Sequence, residues 1–322
     1  MSSTTPQVSD WKCKDMTPVL EGEFAIAADL MPSVLQPQSC SFILKNVNVA
    51  LASGIRRAIV SENPVSQITF NYEDFSTDDP FCDLPDFVET RIRSIPIKQS
   101  VKPNATFELN FINNTGMQVI VTSKEIKMTS SGKEDLFDET IPIVDLAPGR
   151  FIKISNIRVA TGYGLEHGTF VMTNGVICEP LDVIPYNMYT GEGVSSSLSD
   201  PRKHRITFET DGTMEPKKIV KLAISEIILR LKKISGLIYT ITPVDNYFKL
   251  IIVGENDTTG NIIVKCVLDI YPDIEAITYK VDHKNKRLTL SIRVNDHTEA
   301  HDRISMGIKH AMDKLETISS NL

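Results

Sequence analysis

Two histidines four residues apart are the closest approach of this sequence to a metal site. His297 and His301 lie near the start of a predicted helix, where that spacing places two imidazoles on one face. The residue directly after the first histidine is not the glutamate of a metalloprotease HExxH helix, and the intervening residues are typical of a helix start. We therefore predict that both histidines belong to a helix start and that the chain holds no metal.

The five cysteines do not form a recognisable site either. Their number is odd, they are widely spaced, and none stands in a CxxC pair: Cys13, Cys40, Cys82, Cys178 and Cys266. Neither a disulfide framework nor a zinc or iron–sulfur site of the usual spacing can be drawn from them. We expect buried or unreactive thiols, which suits a reducing compartment.

An acidic stretch, NYEDFSTDDPFCDLPD at residues 71–86, resembles a metal-binding loop only in composition. Its carboxylates lack the one-three-five spacing and the central glycine of a calcium loop, so a solvated acidic loop is favoured. The sequence also contains no P-loop, no dinucleotide-binding glycine fingerprint and no nucleophile-elbow pentapeptide. No catalytic residue and no cofactor are predicted; a hydrolase with a dispersed active site is the weaker alternative.

Two adjacent arginines lie in a helix of unusual composition. In ASGIRRAIVSENP, residues 52–64, apolar residues recur at helical spacing and Pro64 ends the run. Gly54 stands in the middle, where glycine costs about 1 kcal/mol relative to alanine. From the residues alone, we favour one of Arg56 and Arg57 capping the chain's own acidic loop while the other is solvated; the alternative is a docking contact.

Length and composition set the frame for these residues. The chain has 322 residues, 41% hydrophobic and 23% charged, which allows two ordinary domains or one with a large insertion. A net charge of −7 disfavours specific nucleic-acid binding as the main role. The polar N-terminus and the absence of a long apolar run indicate a soluble, intracellular protein without a membrane segment.

An internal duplication supplies the elements that position the arginines. Residues 41–59 and 249–268 each consist of an apolar strand, a short polar turn and a helix that begins with small residues. Residues 205–210 and 287–294 alternate like half-buried strands, and each precedes a long helix, to about residue 234 and residue 318 respectively. The order of elements predicts two α+β units.

The two long helices carry matching apolar stripes. Each could pack on the sheet of its own unit, but their equal length favours packing against each other. The two units would then pair around a pseudo-two-fold axis, as in an isologous dimer within one chain. The residues assigned to this packing are Ile219, Ala223, Ile227 and Leu231 on the first helix and Ile304, Ile308, Ala311 and Leu315 on the second.

The first unit carries about a hundred extra residues, which are rich in predicted strands. We predict strands at 105–112, 117–123, 141–146, 150–160 and 169–173, separated by Gly, Asn and Pro turns, and a flexible exit loop at 187–203. The predicted fold is α+β, with two dimerisation units in pseudo-two-fold pairing and a mostly-β insertion in the first. The predicted divisions are 1–39 (extension), 40–97 with 204–236, 98–203 (insertion) and 237–322, with a linker near 235–246.

The ordered set of motifs resembles the α-type assembly subunits of multisubunit RNA polymerases. The larger partner of that family is similar to residues 42–64, 86–97 (DFVETRIRSIPI) and 162–168 (GYGLEHG). The smaller partner is similar to residues 255–268 and 279–283 with the terminal helix. The two partners form a heterodimer in archaea and eukaryotes, and a fusion of both resembles the arrangement in large nucleocytoplasmic DNA viruses. The resemblance covers nearly the whole chain.

Several positions depart from the family pattern. The family helix begins Asn-small-Leu-Arg-Arg, whereas this chain has Ser53-Gly54-Ile55-Arg56-Arg57. The usual His-Thr-Leu-Gly of the smaller partner becomes Asp257-Thr258-Thr259-Gly260, and Lys284 stands where a proline is expected. The insertion lacks the clustered cysteines that hold zinc or an iron–sulfur cluster in some larger partners. Contacts of the second half are therefore expected to be rewired.

The resemblance implies a non-catalytic platform for the two largest polymerase subunits, with a small polymerase subunit nearby. It implies docking of the second-largest subunit at Arg56 and Arg57, while Gly54 and Gly260 allow close backbone approach. No homodimer, direct specific nucleic-acid contact or membrane contact is expected, and a viral source would place the chain in the virion and host cytoplasm. The alternative is a self-associating or virion structural interaction protein. The docking residues so assigned are Ser53, Gly54, Arg56, Arg57, Glu62, Gly260, Asn261 and Lys265.

Overall fold

The computed structural model describes residues 5–16, 34–130, 135–181, 201–245 and 247–322. These residues form a mixed α/β fold. Its α-helices are α1 (Val49–Ser61), α2 (Pro85–Arg93), α3 (Pro216–Ser235), α4 (Asp257–Ile270) and α5 (His297–Ser320). Its strands are β1 (Gln7–Asp15), β2 (Gln38–Lys45), β3 (Pro64–Thr69), β4 (Phe75–Thr77), β5 (Thr106–Ile112), β6 (Val119–Thr122), β7 (Ile126–Met128), β8 (Pro142–Leu146), β9 (Phe151–Tyr163), β10 (Thr173–Pro180), β11 (Lys203–Thr210), β12 (Thr242–Val244), β13 (Tyr247–Val253), β14 (Ala276–Asp282) and β15 (Arg287–Arg293).

Two four-stranded antiparallel sheets have the same plan. The first has the order β1-β2-β11-β10, and the second has the order β12-β13-β15-β14. In the first sheet Phe42 lies opposite Ile206, and in the second Leu250 lies opposite Leu290. Because side chains alternate between the faces of a strand, these residues place one apolar face of each sheet under the helices. In both sheets, helices follow the two central strands.

One hydrophobic core joins both sheets to α1, α3, α4 and α5. The helices α3 and α5 contact each other, and α1 contacts both α3 and α4. All eight residues assigned from sequence to inter-helix packing are buried at 3% exposure or less: Ile219, Ala223, Ile227, Leu231, Ile304, Ile308, Ala311 and Leu315. A continuous apolar interior of this kind makes the two sheets one packed unit.

A third sheet has a separate core. Its strands have the order β3-β9-β5-β7, with β4 also on β9, and the short pair β6-β8 lies apart from it. The second core begins at Ile68 and ends at Ile157 in the chain. The third sheet and its core thus begin before residue 98, the predicted start of the insertion. The strand β3 pairs with β9, and α2 packs on this sheet. The boundaries drawn from sequence did not anticipate that long-range pairing.

Several sequence-based expectations need correction. The stretch 169–173 is not a strand; the strand β10 begins at Thr173 and joins the first sheet. The predicted linker contains a one-turn 3-10 helix, Ile238–Thr240, and β12. Most of the predicted exit loop, 187–203, lies outside the described residues. The acidic stretch 71–86 is not wholly solvated, since Asp79 is only 2% exposed.

The expectation of no disulfide is also wrong. The N-terminal segment supplies β1, an edge strand whose Cys13 lies directly opposite Cys40 of β2, and the two sulfurs are bonded. No local sequence pattern indicated this bond, because it depends on the pairing of β1 with the edge of the sheet. The remaining cysteines are free, and burial raises the pKa of Cys82 and Cys178 to about 11 and of Cys266 to about 12. These thiols are therefore unreactive near neutral pH.

No helix within the described residues is long and apolar enough to cross a bilayer.

The closest approach between α4 and α5 depends on Gly307. A Cβ at this position would lie 2.3 Å from Val267 Cγ2 and 3.2 Å from Val267 Cα. Alanine favours a helix over glycine by about 1 kcal/mol, but forcing the backbones apart costs about 1–3 kcal/mol. We expect Gly307→Ala to lower the free energy of unfolding by about 1 kcal/mol, measured by chemical denaturation. Gly116→Ala is the control, because a Cβ at Gly116 has no atom within 4 Å; equal stability of the two variants would contradict the packing argument.

A candidate subunit-docking surface

The helix α1 starts from an asparagine cap that also ties it to α4. The Asn48 side chain accepts a hydrogen bond from Leu51 N at 2.9 Å, which satisfies a donor in the first turn. Its Nδ2 donates to Asp269 Oδ2 at 2.8 Å, near the C-terminal end of α4. At the other end of α1, Arg57 Nη1 donates to Thr258 Oγ1 at 3.2 Å, near the N-terminus of α4. The two helices therefore run antiparallel.

Gly54 and Gly260 let elements of this chain pack closely. A Cβ at Gly54 would lie 2.7 Å from Ile262 Cδ1 of α4, and one at Gly260 would lie 2.7 Å from the Tyr279 ring. Both glycines are buried. Their missing side chains therefore serve the contact of α1 with α4 and of α4 with its own sheet, and the surface open to a partner lies beside them.

The two arginines have different surroundings. Arg57 is exposed and bonded to Thr258, whereas Arg56 is half-buried and forms no hydrogen bond or ion pair with another described residue. Neither arginine contacts the acidic segment 71–86 within the described part of the chain, so the capping interpretation is not what the structure contains. The Arg56 guanidinium is available to bond an acceptor from outside.

A cleft of about 270 Å³ opens between the C-terminal half of α1 and the N-terminus of α4. Both arginines are on its walls, and Asp257 adds a carboxylate on the opposite side. The cleft can therefore hold a segment that presents acceptors to the arginines. Its lining consists of Arg56, Arg57, Val60, Ser61, Glu62, Leu165, Asn256, Asp257 and Thr258.

Glu62 is a buried carboxylate in this cleft. It is 2% exposed, and its Oε1 lies 3.0 Å from Arg230 Nη1 of α3. Its Oε2 has no hydrogen-bond partner among the described residues, and neither has Oδ1 of the neighbouring Asn63. A buried acceptor without a donor costs about 1–3 kcal/mol. A donor from a bound polypeptide would remove that cost at Glu62.

The motif GYGLEHG forms one wall of the cleft. Leu165 N donates to Ser61 O at 3.2 Å, so the loop packs on the C-terminal end of α1. A Cβ at Gly164 would lie 2.9 Å from Ser61 Cα, which is a backbone atom and cannot rotate away. Glycine is therefore required here by the close approach of the loop to the helix. This places Leu165, 61% exposed, at the rim.

An ion-pair network fastens the far end of the α1–α4 contact. Asp269 accepts from Arg202 Nη2 and Nη1 at 2.8 and 3.1 Å, from Asn48, and from Lys314 Nζ at 3.2 Å. Burial alone would raise the pKa of Asp269, but the hydrogen bonds from Arg202 and Asn48 and the charge of Lys314 outweigh it and hold that pKa below its usual value. The carboxylate therefore stays charged near neutral pH.

The lowered pKa predicts how stability depends on pH. Asp269 stabilises the fold above its unfolded-state pKa of about 4, and the contribution is lost as the pH falls through the lower folded-state pKa. We expect Asp269→Asn to lose about 2 kcal/mol of unfolding free energy at pH 7, because it removes the carboxylate that pairs with Lys314, whose side chain is only 11% exposed. The loss should shrink below pH 4. Urea unfolding from pH 7 to below pH 4 is the measurement, with exposed Asp302→Asn as the control. A difference in unfolding free energy between the wild type and Asp269→Asn that stays constant at acid pH would contradict the assignment.

The other residues singled out from sequence are distributed around this surface. Ser53 and Asn261 are half-buried, and Lys265 is exposed four residues after Asn261 on α4. His297 shares a hydrogen bond with Ile241 O at 3.0 Å and lies edge-on to Phe248. The described residues contain no group of His, Cys, Asp and Glu side chains arranged to hold a metal.

Sequence reasoning missed several residues of the cleft. Leu165, Asp257 and Thr258 were not assigned to it, and Arg230, which is outside the lining, was not assigned as the partner of Glu62. One signal was present: Asn256 is an N-cap whose Oδ1 accepts from Thr258 N at 3.0 Å, which marks the start of α4. The position of Arg230 against Glu62 could not be found, because it follows from packing of α3 on α1.

The sequence is similar to a known family and to proteins of one virus. The profile of the RNA polymerase Rpb3/Rpb11 dimerisation domain matches residues 41–231, more than half of the chain. A protein named DNA-directed RNA polymerase RPB3-11 homolog, from a Tick/Malawi isolate of African swine fever virus, is 24% identical over 319 residues, covering 89% of this chain and 88% of its own length. The protein of the same name from a Pig/Kenya isolate is 23% identical, with the same coverage.

Proposed function

Because this chain belongs to the RNA polymerase Rpb3/Rpb11 dimerisation domain family, we propose that it is a non-catalytic assembly-platform subunit of a multisubunit DNA-directed RNA polymerase. The observation that carries the proposal is the similarity to proteins named DNA-directed RNA polymerase RPB3-11 homolog along 89% of the chain. The alternative, a self-associating or virion structural protein, has no support among these relatives. Their viral source favours a location in the virion and the host cytoplasm.

The proposed platform consists of two duplicated units in pseudo-two-fold pairing. The equal strand order of the two four-stranded sheets supports this proposal, with β1, β2, β11 and β10 corresponding to β12, β13, β15 and β14. The helices α1 and α4 follow corresponding strands, as do α3 and α5. Burial of α3 against α5 supports pairing through these helices.

We propose domain boundaries that follow these elements. The first unit, drawn from sequence at 40–97 and 204–236, keeps β2, α1, β11 and α3 of that frame and gains β1 and β10, because they belong to the first sheet. The strands β3 and β4 and the helix α2 are assigned to the inserted β domain, which was drawn at 98–203. The second unit, 237–322, is retained. The insertion thus starts directly after α1, next to the cleft.

The cleft is the proposed contact of one large subunit, and the exposed face of α4 that of the other. Arg56 and Arg57 offer planar donor groups suited to carboxylates and backbone carbonyls. The free Glu62 Oε2 complements them with an acceptor for an N–H or a cationic side chain. A docked segment that presents both an acceptor and a donor would satisfy all three groups. The proposed docking residues remain Ser53, Gly54, Arg56, Arg57, Glu62, Gly260, Asn261 and Lys265, with Gly54 acting through the contact of α1 with α4 and Gly260 through that of α4 with its sheet.

Loss of the arginine pair tests this assignment. We expect Arg56→Ala/Arg57→Ala to weaken association with the two largest subunits by about tenfold or more, since charge-assisted hydrogen bonds are lost. Co-purification of the complete set of subunits, with circular dichroism of the variant, is the measurement. Lys232→Ala/Lys233→Ala is the control, because it removes two adjacent exposed cations at the C-terminal end of α3.

The outcomes separate the possibilities. Unchanged assembly of the folded arginine variant would remove the arginines from the docking surface. A wild-type chain that never co-purifies with the two largest subunits would overturn the platform itself.

The isolated chain is expected to be monomeric. Ile227 and Leu315, like the rest of the α3 and α5 stripes, are already buried within one chain. Light scattering of the folded chain at micromolar concentration should therefore give the mass of one copy, 35.9 kDa. A stable homodimer would mean that another surface self-associates.

A further inference from the structure

Four large apolar side chains are exposed close together on the segment that follows β3. Tyr72, Phe81, Leu84 and Phe87 are 55%, 87%, 57% and 47% exposed. Phe87 N donates to Leu84 O at 3.0 Å, and the Tyr72 hydroxyl bonds the carboxylate of Asp86, next to Phe87 in the chain; Phe81 stands three residues before Leu84. Single exposed apolar residues are ordinary, but a concentration of this kind marks an interaction surface. We call these four residues the aromatic patch.

The aromatic patch lies on a fixed support. Asp79 is 2% exposed and accepts hydrogen bonds from Phe81 N at 3.0 Å and from Ala147 N at 2.8 Å. Below the patch, Val88 and Ile92 of α2 are fully buried in the core of the third sheet. The backbone that carries the exposed side chains is therefore held in place before any partner binds, which reduces the entropy that binding would cost.

The segment that carries the aromatic patch is acidic, and two of its carboxylates, Asp78 and Glu89, already pair with Arg150 and Arg93. Glu73 and Asp83 are exposed and have no hydrogen bond or ion pair to another described residue. The Arg91 guanidinium lies 5.1 Å from the centre of the Phe87 ring, so one ring of the patch already binds a cation. Residues 71–91 contain one arginine, Arg91, and the acidic residues Glu73, Asp74, Asp78, Asp79, Asp83, Asp86 and Glu89.

The charge of residues 17–33 and 182–200 argues against either segment covering the aromatic patch. Residues 17–33 contain Glu21, Glu23 and Asp29 with no lysine or arginine. Residues 182–200 contain two aspartates and a glutamate and likewise no lysine or arginine. A second copy would bring the same acidic surface and a net charge of −7. The complementary partner is a basic polypeptide from elsewhere.

We propose that the aromatic patch is a second docking surface, which binds a segment of another subunit that carries an apolar side chain flanked by lysine or arginine. The apolar residue packs between the exposed rings, and its basic neighbours pair with Glu73 and Asp83. The identity of the partner as a polymerase subunit rests on the proposed function. The surface is distinct from the cleft at Arg56 and Arg57, so the two contacts can form together.

Site-specific photo-crosslinking in the assembled polymerase tests the proposal. The complex is reconstituted from its recombinant subunits with Phe81→p-benzoylphenylalanine, and separately with Leu84→p-benzoylphenylalanine, and adducts are located by mass spectrometry. We expect an adduct to another subunit, within a few residues of at least two lysines or arginines. Adding Glu73→Gln/Asp83→Asn should lower its yield about three- to tenfold, since two charge pairs are lost. The matched control, Glu108→Gln/Glu139→Gln, removes two exposed charges elsewhere in the inserted domain and should leave the yield unchanged.

Each contrary result has a defined meaning. The proposal is overturned by absence of an adduct from both positions in an intact complex. It is equally overturned by an adduct to nucleic acid, to a second copy, to residues 17–33 or 182–200 of the same chain, or to an acidic segment. Equal loss of yield in both charge variants would also overturn it. If the complex does not assemble with the unmodified chain, the proposed function fails instead.

Discussion

The antiparallel contact between α1 and α4 is the constraint on which the rest of the structure depends. Gly54 leaves room in this contact for the Ile262 side chain, whose Cδ1 would lie 2.7 Å from a Cβ at position 54. The two ends of the contact are fixed by polar contacts, Asn48 with Asp269 and Arg57 with Thr258. An alanine at position 54 would displace the end of the Ile262 side chain. The glycine that is unfavourable in an isolated helix thus serves the packing of α1 on α4.

Apolar and polar contacts have different roles in this arrangement. Burial of an isoleucine or leucine contributes about 1.5–3 kcal/mol, so the stripes of α3 and α5 supply most of the stability. Buried ion pairs such as Glu62 with Arg230 contribute little net energy, because desolvation offsets their attraction. They do restrict how the helices can be arranged, since a shift along α3 would leave a charge unpaired. Stability thus comes mainly from the apolar residues between α3 and α5, and the geometry of the cleft from the polar contacts.

Sequence alone was sufficient for features encoded locally. The helical spacing of apolar residues predicted α3 and α5 within a few residues, and the alternation of apolar and polar residues predicted β11 and β15. The repeated order of strand, turn and helix predicted the elements around them. Features that depend on long-range pairing were missed: the bond between Cys13 and Cys40 requires β1 at the sheet edge, and the start of the third sheet requires β3 on β9. The arginines were found by composition, but their cleft was not. Its walls come from α1, the loop 162–168 and α4, which are far apart in the chain.

The difference between the proposed halves follows from having both in one chain. In a homodimer every substitution appears twice, so a pair of arginines would face both large partners. Here Arg56 is half-buried at the cleft, whereas Val264 on α4, next to the exposed Lys265, is 8% exposed and packs in the core. In the proposed arrangement, fusion lets each half keep its packing residues while its outer surface adapts to a different subunit.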